Sequence, residues 1–201
     1  MKRALISMFI ACCCLMSCNK QTPASSTADY NIVPFPQEIK MESGDGFELS
    51  KSTVIAYSGD AAMKRNAELL AEYIKDNTGL ELAISEGEGQ SNSISLTTGN
   101  VTENNEGYRL AVTKESIEIV GASPAGAFYG IQTIRQIIKN GYCDMSRIDD
   151  EPDFETRGIY FDITRGRIPT LETLKELVDN IAYAKANMLQ LYVEHVFEFK
   201  E

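Results

Sequence analysis

Asp162 and Arg165 stand three residues apart where an apolar run, Gly158–Ile163, gives way to polar sequence. An arginine there offers a fixed fork of donors to a ligand. Its competing use is a salt bridge to Asp162 or Glu172 at a strand end. A second apolar run, Met188–Val193, finishes in Glu194 and His195, the only histidine of the chain. These two side chains stand where polar groups could meet the same ligand, although a lone histidine more often has a structural or solvent-facing role. Arg157 precedes its run instead of following it, and reads as structural. Cys143 lies in a loop with no histidine to activate it and reads as an inert thiol. Nothing in these spacings calls for a metal or a cofactor.

The elements that must position these groups follow from periodicity. Gly158–Ile163 is nearly continuous apolar sequence, as expected of a strand buried on both faces. Thr170–Lys185 carries Leu171, Leu174, Leu177, Val178, Ile181 and Ala182 at helical spacing. With Met188–Val193 the order is strand, helix, strand within 37 residues, a βαβ unit whose strands are parallel. Arg165 and Glu194 then share the C-terminal end of that sheet.

Upstream, the sequence reads as an α+β domain with a mixed sheet and two helices on one face. Strands are expected at Phe47–Leu49, Thr53–Tyr57, Leu80–Ser85, Ser93–Thr98, Tyr108–Thr113 and Ser116–Val120, the last two joined through Lys114 and Glu115. One helix spans Asp60–Asn77 and stops before Gly79. The other starts at the Ser123 N-cap with Pro124 in its first position, and Asn140-Gly141 is expected to end it. Ile32–Pro36 is apolar but broken by prolines, fitting an edge strand or an extended lead-in. Asp149-Asp150-Glu151-Pro152 is a polar break, taken as the boundary between residues 30–148 and 149–201.

The 201 residues are 43% hydrophobic and 24% charged, with 19 basic and 29 acidic side chains. That composition excludes a disordered chain and a multi-spanning membrane protein, and the net charge of −10 disfavours nucleic acid as a partner. Four of the five cysteines, Cys12, Cys13, Cys14 and Cys18, fall within the first 18 residues, so no intrachain disulfide framework is expected. Lys2 and Arg3 precede an apolar run, Ala4–Met16, too short for a permanent span. This run, ending in Leu15-Met16-Ser17-Cys18, resembles a bacterial lipoprotein signal peptide over residues 1–18, which implies lipid on Cys18, attachment to a membrane and a place in the cell envelope. Residues 19–29 read as a flexible tether.

Asn31–Pro36 with Gly46–Leu49, Glu106–Leu110, and Gly126–Gln136 resemble the non-catalytic N-terminal domain of bacterial β-hexosaminidases of glycoside hydrolase family 20. Asp149–Phe154, Arg157-Gly158 and the Asp162–Arg165 spacing resemble the opening of that family's barrel. The resemblance implies that residues 149–201 begin a (β/α)8 barrel, of which only the first βαβ unit is present. It also implies a retaining exo-glycosidase that takes a terminal N-acetylhexosamine from a glycan. In that family the substrate's own acetamido oxygen attacks the anomeric carbon, assisted by an adjacent Asp-Glu pair that would lie beyond Glu201. Arg165 matches the family arginine that binds the hydroxyls of the terminal sugar. The stretch Gln190-Leu191-Tyr192-Val193-Glu194-His195 departs from the family's usual His-x-His, which leaves the choice of sugar open. Two other readings stand beside this one: another barrel glycosidase such as an α-glucuronidase, and a non-catalytic surface lipoprotein that binds glycans.

Overall fold

A computed structural model describes residues 30–194. Cys18, the apolar segment before it and His195 lie outside these residues.

Eleven strands and three helices follow one another among them. Seven strands form one mixed sheet in the order β1-β9-β6-β7-β5-β3-β4. These are β1 (Glu38–Met41), β3 (Val54–Tyr57), β4 (Ala83–Glu86), β5 (Ser93–Thr98), β6 (Tyr108–Val112), β7 (Ser116–Gly121) and β9 (Ser146–Asp150). The half from β1 to β7 is antiparallel and the half from β7 to β4 is parallel. Alternation decides which side is wet. Ile94, Leu96, Leu110, Ile117, Ile119 and Ile148 are fully buried, while the intervening Arg109, Glu118 and Arg147 are exposed.

Helices α1 (Ala61–Thr78) and α2 (Pro124–Ile137) pack side by side on the apolar face. Asp60 caps α1 by accepting from the backbone N–H of Ala62 and Met63, and Gly79 closes it in the left-handed region at φ 74°. Met63, Ala67, Leu70 and Ile74 form its buried stripe. Ser123 caps α2 as its sequence predicts, with Pro124 in the first turn. The glycines of this helix set its distance from the sheet. A Cβ on Gly126 would collide with the Gly107 carbonyl, and one on Gly130 would collide with Ile119. At Gly126 backbone therefore rests directly on backbone, and at Gly130 on the Ile119 side chain.

Several expectations are corrected. Helix α2 stops at Ile137, not at Asn140-Gly141, because Ile138 is extended. Asn140 (φ 53°) and Gly141 (φ 77°) instead make a tight turn in which Lys139 and Tyr142 exchange backbone hydrogen bonds. That turn leads into β8 (Tyr142–Cys143), which pairs with β2 (Phe47–Glu48) in a separate ribbon and places Cys143 in a strand. Strands β1 and β9 escaped the sequence reading altogether. Asp149 and Asp150, read as part of a polar break, are paired residues of β9; Asp149 faces Arg109 at 2.7 Å. Ile32–Pro36 forms no strand.

The last unit runs β10 (Gly158–Asp162), α3 (Leu171–Tyr183), β11 (Met188–Tyr192), with the two strands parallel from Gly158↔Met188 to Asp162↔Tyr192. β10 is not buried on both faces: Ile159 and Tyr160 are exposed, as is Leu191 in β11. The α3 stripe is also mostly open, with Ile181 its one buried residue. Two strands and one helix cannot enclose both faces of a sheet.

Substituting Gly126→Ala should lower stability by about 1–3 kcal/mol, because the added methyl group meets backbone that cannot rotate away. A urea unfolding curve of the chain measures it.

Candidate functional site

Asp162 ends β10, and its side chain organises the turn that follows. Oδ1 accepts from the Thr164 N–H (2.9 Å), the Thr164 hydroxyl (3.0 Å) and the Arg165 N–H (3.1 Å), and Oδ2 accepts from Arg165 Nε (2.6 Å). These donors, the Thr164 backbone N–H first among them, hold the Asp162 carboxyl well below the usual carboxylate range. It is therefore ionised at any physiological pH. Just past the neighbouring strand, Glu194 donates its backbone N–H to the Thr164 hydroxyl (3.2 Å), and its carboxylate stands 3.5 Å from Arg165 Nε. The guanidinium carbon lies 5.0 Å from the centre of the Tyr192 ring, and Tyr192 is tilted against Tyr160 at 5.7 Å.

The salt bridge to Asp162 that competed with ligand binding is thus present; Glu172 takes no part in it. Yet both carboxylates meet Arg165 through Nε. The two Nη nitrogens have no hydrogen-bond partner among the described residues, and the side chain is 59% exposed. Two uses that looked exclusive in the sequence coexist, because the guanidinium has more donors than one carboxylate consumes. The structure brings Arg165 and Glu194 together, as their places at the ends of two parallel strands require. Tyr160, Gln190 and Tyr192 share the Asp162 face of the ribbon, a set the sequence reading passed over. The two-residue period was its signal: Phe161 lies on the other face, where it lines a hollow with Leu174 and Leu177 of α3. Among the described residues no three His, Cys, Asp or Glu side chains gather as metal ligands would.

The opposite end of the ribbon also concentrates charge. Lys185, in the left-handed region at φ 58°, follows α3 and reaches back into the large sheet. Its Nζ donates to Asp150 Oδ2 and to the Tyr108 hydroxyl, each at 2.8 Å, and the Tyr108 hydroxyl also meets Thr133 Oγ1 at 2.6 Å. Lys185 is 5% exposed. Burial drives the Lys185 ammonium below its ordinary value despite Asp150, and drives the Tyr108 phenol well above its own. Arg157 pairs with Glu106 at 2.7 Å and donates to the carbonyls of Phe154 and Lys185. A cleft of about 280 Å³ lies over this cluster, with Phe35 and Phe154 at its rim. Lys185 is spent on Asp150 and Arg157 on Glu106, so the cluster binds two parts of the fold together. Cys143 is silent: burial pushes its thiol up to about 12.

A family profile described as "Glycosyl hydrolase family 20, domain 2" matches residues 29–151. The chain belongs to glycosyl hydrolase family 20. This family 20 chain is 32% identical to a β-hexosaminidase of Porphyromonas gingivalis over 93% of its own length and 26% of that protein's. It is 24% identical to a β-N-acetylhexosaminidase of Cellulomonas fimi, covering 82% of itself and 34% of the relative. The solved β-N-acetylhexosaminidase of Streptomyces coelicolor superposes with a TM-score of 0.71 at 23% identity, over 80% of this chain and 34% of that one. The chain thus spans about a quarter to a third of the length of these three relatives. That last likeness carries the fold, a mixed α/β arrangement with a sheet core.

Replacing Lys185 by Met should cost about 3–5 kcal/mol in urea unfolding, because Asp150 then loses its cationic partner and keeps only neutral donors, the Tyr108 hydroxyl and the Gln37 N–H. Adding Asp150→Asn to that variant should recover part of the loss.

Proposed function

We propose that the chain is the N-terminal part of a lipid-anchored exo-glycosidase that removes terminal N-acetylhexosamine residues from glycans. The observation that carries this reading is the open Nη fork of Arg165, held just past the C-terminal end of a parallel strand, in a chain of glycosyl hydrolase family 20. In (β/α)8 barrels that end of the strands carries the ligand site, while the opposite end serves stability. The two clusters divide in the same way. Arg165, Asp162 and Glu194 stand at the C-terminal ends, and Arg157, Lys185 and Asp150 are locked together at the other. The uncovered faces of β10, β11 and α3 fit an incomplete barrel, with β10, α3 and β11 as its first βαβ unit.

In this reading Arg165 donates to the hydroxyls of the terminal sugar and holds its ring in place. Asp162 fixes the guanidinium from behind through Nε. The large sheet with α1 and α2, through the end of β9 at Asp150, forms the non-catalytic N-terminal domain, and residues 19–29 link it to lipid on Cys18, on a membrane of the cell envelope. One acyl chain holds weakly and two or more hold stably. The chemistry is substrate-assisted: the acetamido oxygen attacks the anomeric carbon, with an acid and an acetamido-positioning carboxylate beyond Glu201.

The test uses the complete reading frame and an aryl N-acetyl-β-glucosaminide. Wild type should hydrolyse it, and residues 1–201 alone should not, because proton transfer and charge stabilisation each supply orders of magnitude. Arg165→Ala should lower kcat/KM about a hundredfold or more, the loss of two charge-assisted hydrogen bonds, and Arg165→Lys should recover little. A melting curve separates folding from binding. Normal melting with near wild-type kcat/KM in Arg165→Ala would remove the residue from the sugar site. For the anchor, labelled fatty acid should enter wild type but not Cys18→Ala, and equal labelling of both would refute it.

A further inference from the structure

The cleft between the large sheet and the ribbon repeats one arrangement along its wall. Arg157 pairs with Glu106 at 2.7 Å, and its guanidinium carbon lies 5.2 Å from the centre of the Tyr129 ring. Lys185 pairs with Asp150 at 2.8 Å, and its Nζ lies 5.1 Å from the centre of the Tyr108 ring. Each cation thus has one carboxylate and one aromatic ring beside it, two partners that stabilise a positive charge held away from bulk water.

A third set of the same partners lines this cleft without a cation. Phe35 and Phe154 stand at the rim, 68% and 72% exposed, and Glu151 and Asp153 line the cleft on the segment leading to Phe154. Neither of these carboxylates forms an ion pair among the described residues. Their side-chain oxygens meet neutral donors, the Thr102 hydroxyl at Glu151 and the Gln37 amide at Asp153, the latter at 3.4 Å. Four carboxylates against two cations leave the lining with two negative charges in excess. A neutral apolar ligand would cover the phenyl rings and leave that charge unbalanced, and an anion would be repelled. A guanidinium suits both features, because it stacks on aromatic faces and presents a fork of donors to carboxylates. The cleft holds about 280 Å³, near the lower end for ligand pockets at ~300 Å³, which is room for one long side chain. One planar group covers only part of two exposed rings, so the remaining apolar area suits the chain that carries it.

We propose that this cleft is a docking site for a partner polypeptide, which places an arginine side chain against Phe35 and Phe154 and pairs it with Asp153 and Glu151. The site lies at the start of β10, beside Arg157, and Arg165 lies past the other end of that strand. The inference is therefore independent of the sugar-site reading.

The experiment titrates the protein from the complete reading frame with acetyl-Ala-Arg-Ala-amide and follows binding by NMR. The same peptide with citrulline, which keeps the shape and loses the charge, should bind at least about tenfold more weakly, since it forfeits both the ion pair and the cation–π contact. Asp153→Asn and Phe154→Ala should each weaken the arginine peptide about three- to fivefold. Both side chains are exposed, and a melting curve for each variant checks that the fold is kept. Glu72→Gln, on the exposed side of α1, is the control for the general acidity of the chain and should change nothing. Raising salt to about 1 M should weaken the wild-type complex, because the carboxylates at the rim are open to screening. No binding of the arginine peptide overturns the inference, as does equal binding of its citrulline counterpart. Affinity that survives both Asp153→Asn and Phe154→Ala, or that falls as much in Glu72→Gln, also overturns it. A cleft that takes N-acetylglucosamine oligomers in place of the peptide, with that binding lost in Phe154→Ala, overturns it in favour of a second glycan site.

Discussion

A lysine ammonium taken out of water has to be paired, and Lys185 finds its partners only when the turn after α3 is docked against the large sheet. Asp150 at the end of β9 and Tyr108 at the start of β6 supply them. The arrangement orients what lies on either side of it. Asp150 and Tyr108 face one another across the β6–β9 ladder, so the lysine reports on correct pairing of the last strand of the sheet. Lys185 itself is three residues from the start of β11, so the same contact places the second strand of the ribbon. Coulomb attraction between the pair offsets part of a desolvation cost that runs to several kcal/mol per ion, and its geometric consequence is one relative position of sheet and ribbon.

Helix α2 is the other half of that junction. Its residues divide by direction: Gly126 and Gly130 allow close approach to the sheet, Thr133 meets Tyr108, and Arg135 and Gln136 turn the other way. Arg135 grips Asp179 of α3 with both Nη nitrogens, at 3.2 and 2.8 Å, and lies 4.0 Å over the Tyr73 ring. Gln136 donates to the carbonyls of Val33 and Tyr183 and accepts from the Val33 N–H, tying the lead-in segment to α3. The segment Gly126–Gln136 that carries much of the family resemblance is thus the seam of the fold. Its residue types reflect contacts on two sides of one helix.

At the far end of the ribbon the same construction leaves groups free. Asp162 spends its carboxylate on the turn and on Nε, which holds Arg165 in place while its Nη groups stay open. The two ends of β10 therefore differ in kind. Arg157 is consumed by Glu106, by two carbonyls and by the Tyr129 ring below it. Arg165, eight residues on, is 59% exposed. The difference lies in what surrounds each arginine, since both enter the ribbon from a strand end.

Much of this was legible locally. Helix α1, the Ser123 N-cap of α2, the Lys114–Glu115 hairpin and the βαβ order depend on periodicity and on side chains within one turn of the backbone they satisfy, and these are properties of short stretches. So was the pairing of Arg165 with Asp162, because a three-residue spacing closes through a local turn. Strands β1, β8 and β9 were not legible: Ser146–Asp150 is polar in sequence and becomes a strand only because β1 and β6 supply partners on both sides and Arg109 answers Asp149. The Asn140-Gly141 turn resembled a helix stop for the same reason, since its role depends on β2 receiving β8. The contact of Glu194 with Arg165 spans 29 residues and needs two parallel strands in register. Sequence alone determined the helices, the hairpin, the βαβ order and the residue types at their ends; tertiary structure decided which further segments became strands, which charges were spent and which stayed open, because pairing across the fold requires the burial and register that only the assembled sheet and ribbon supply.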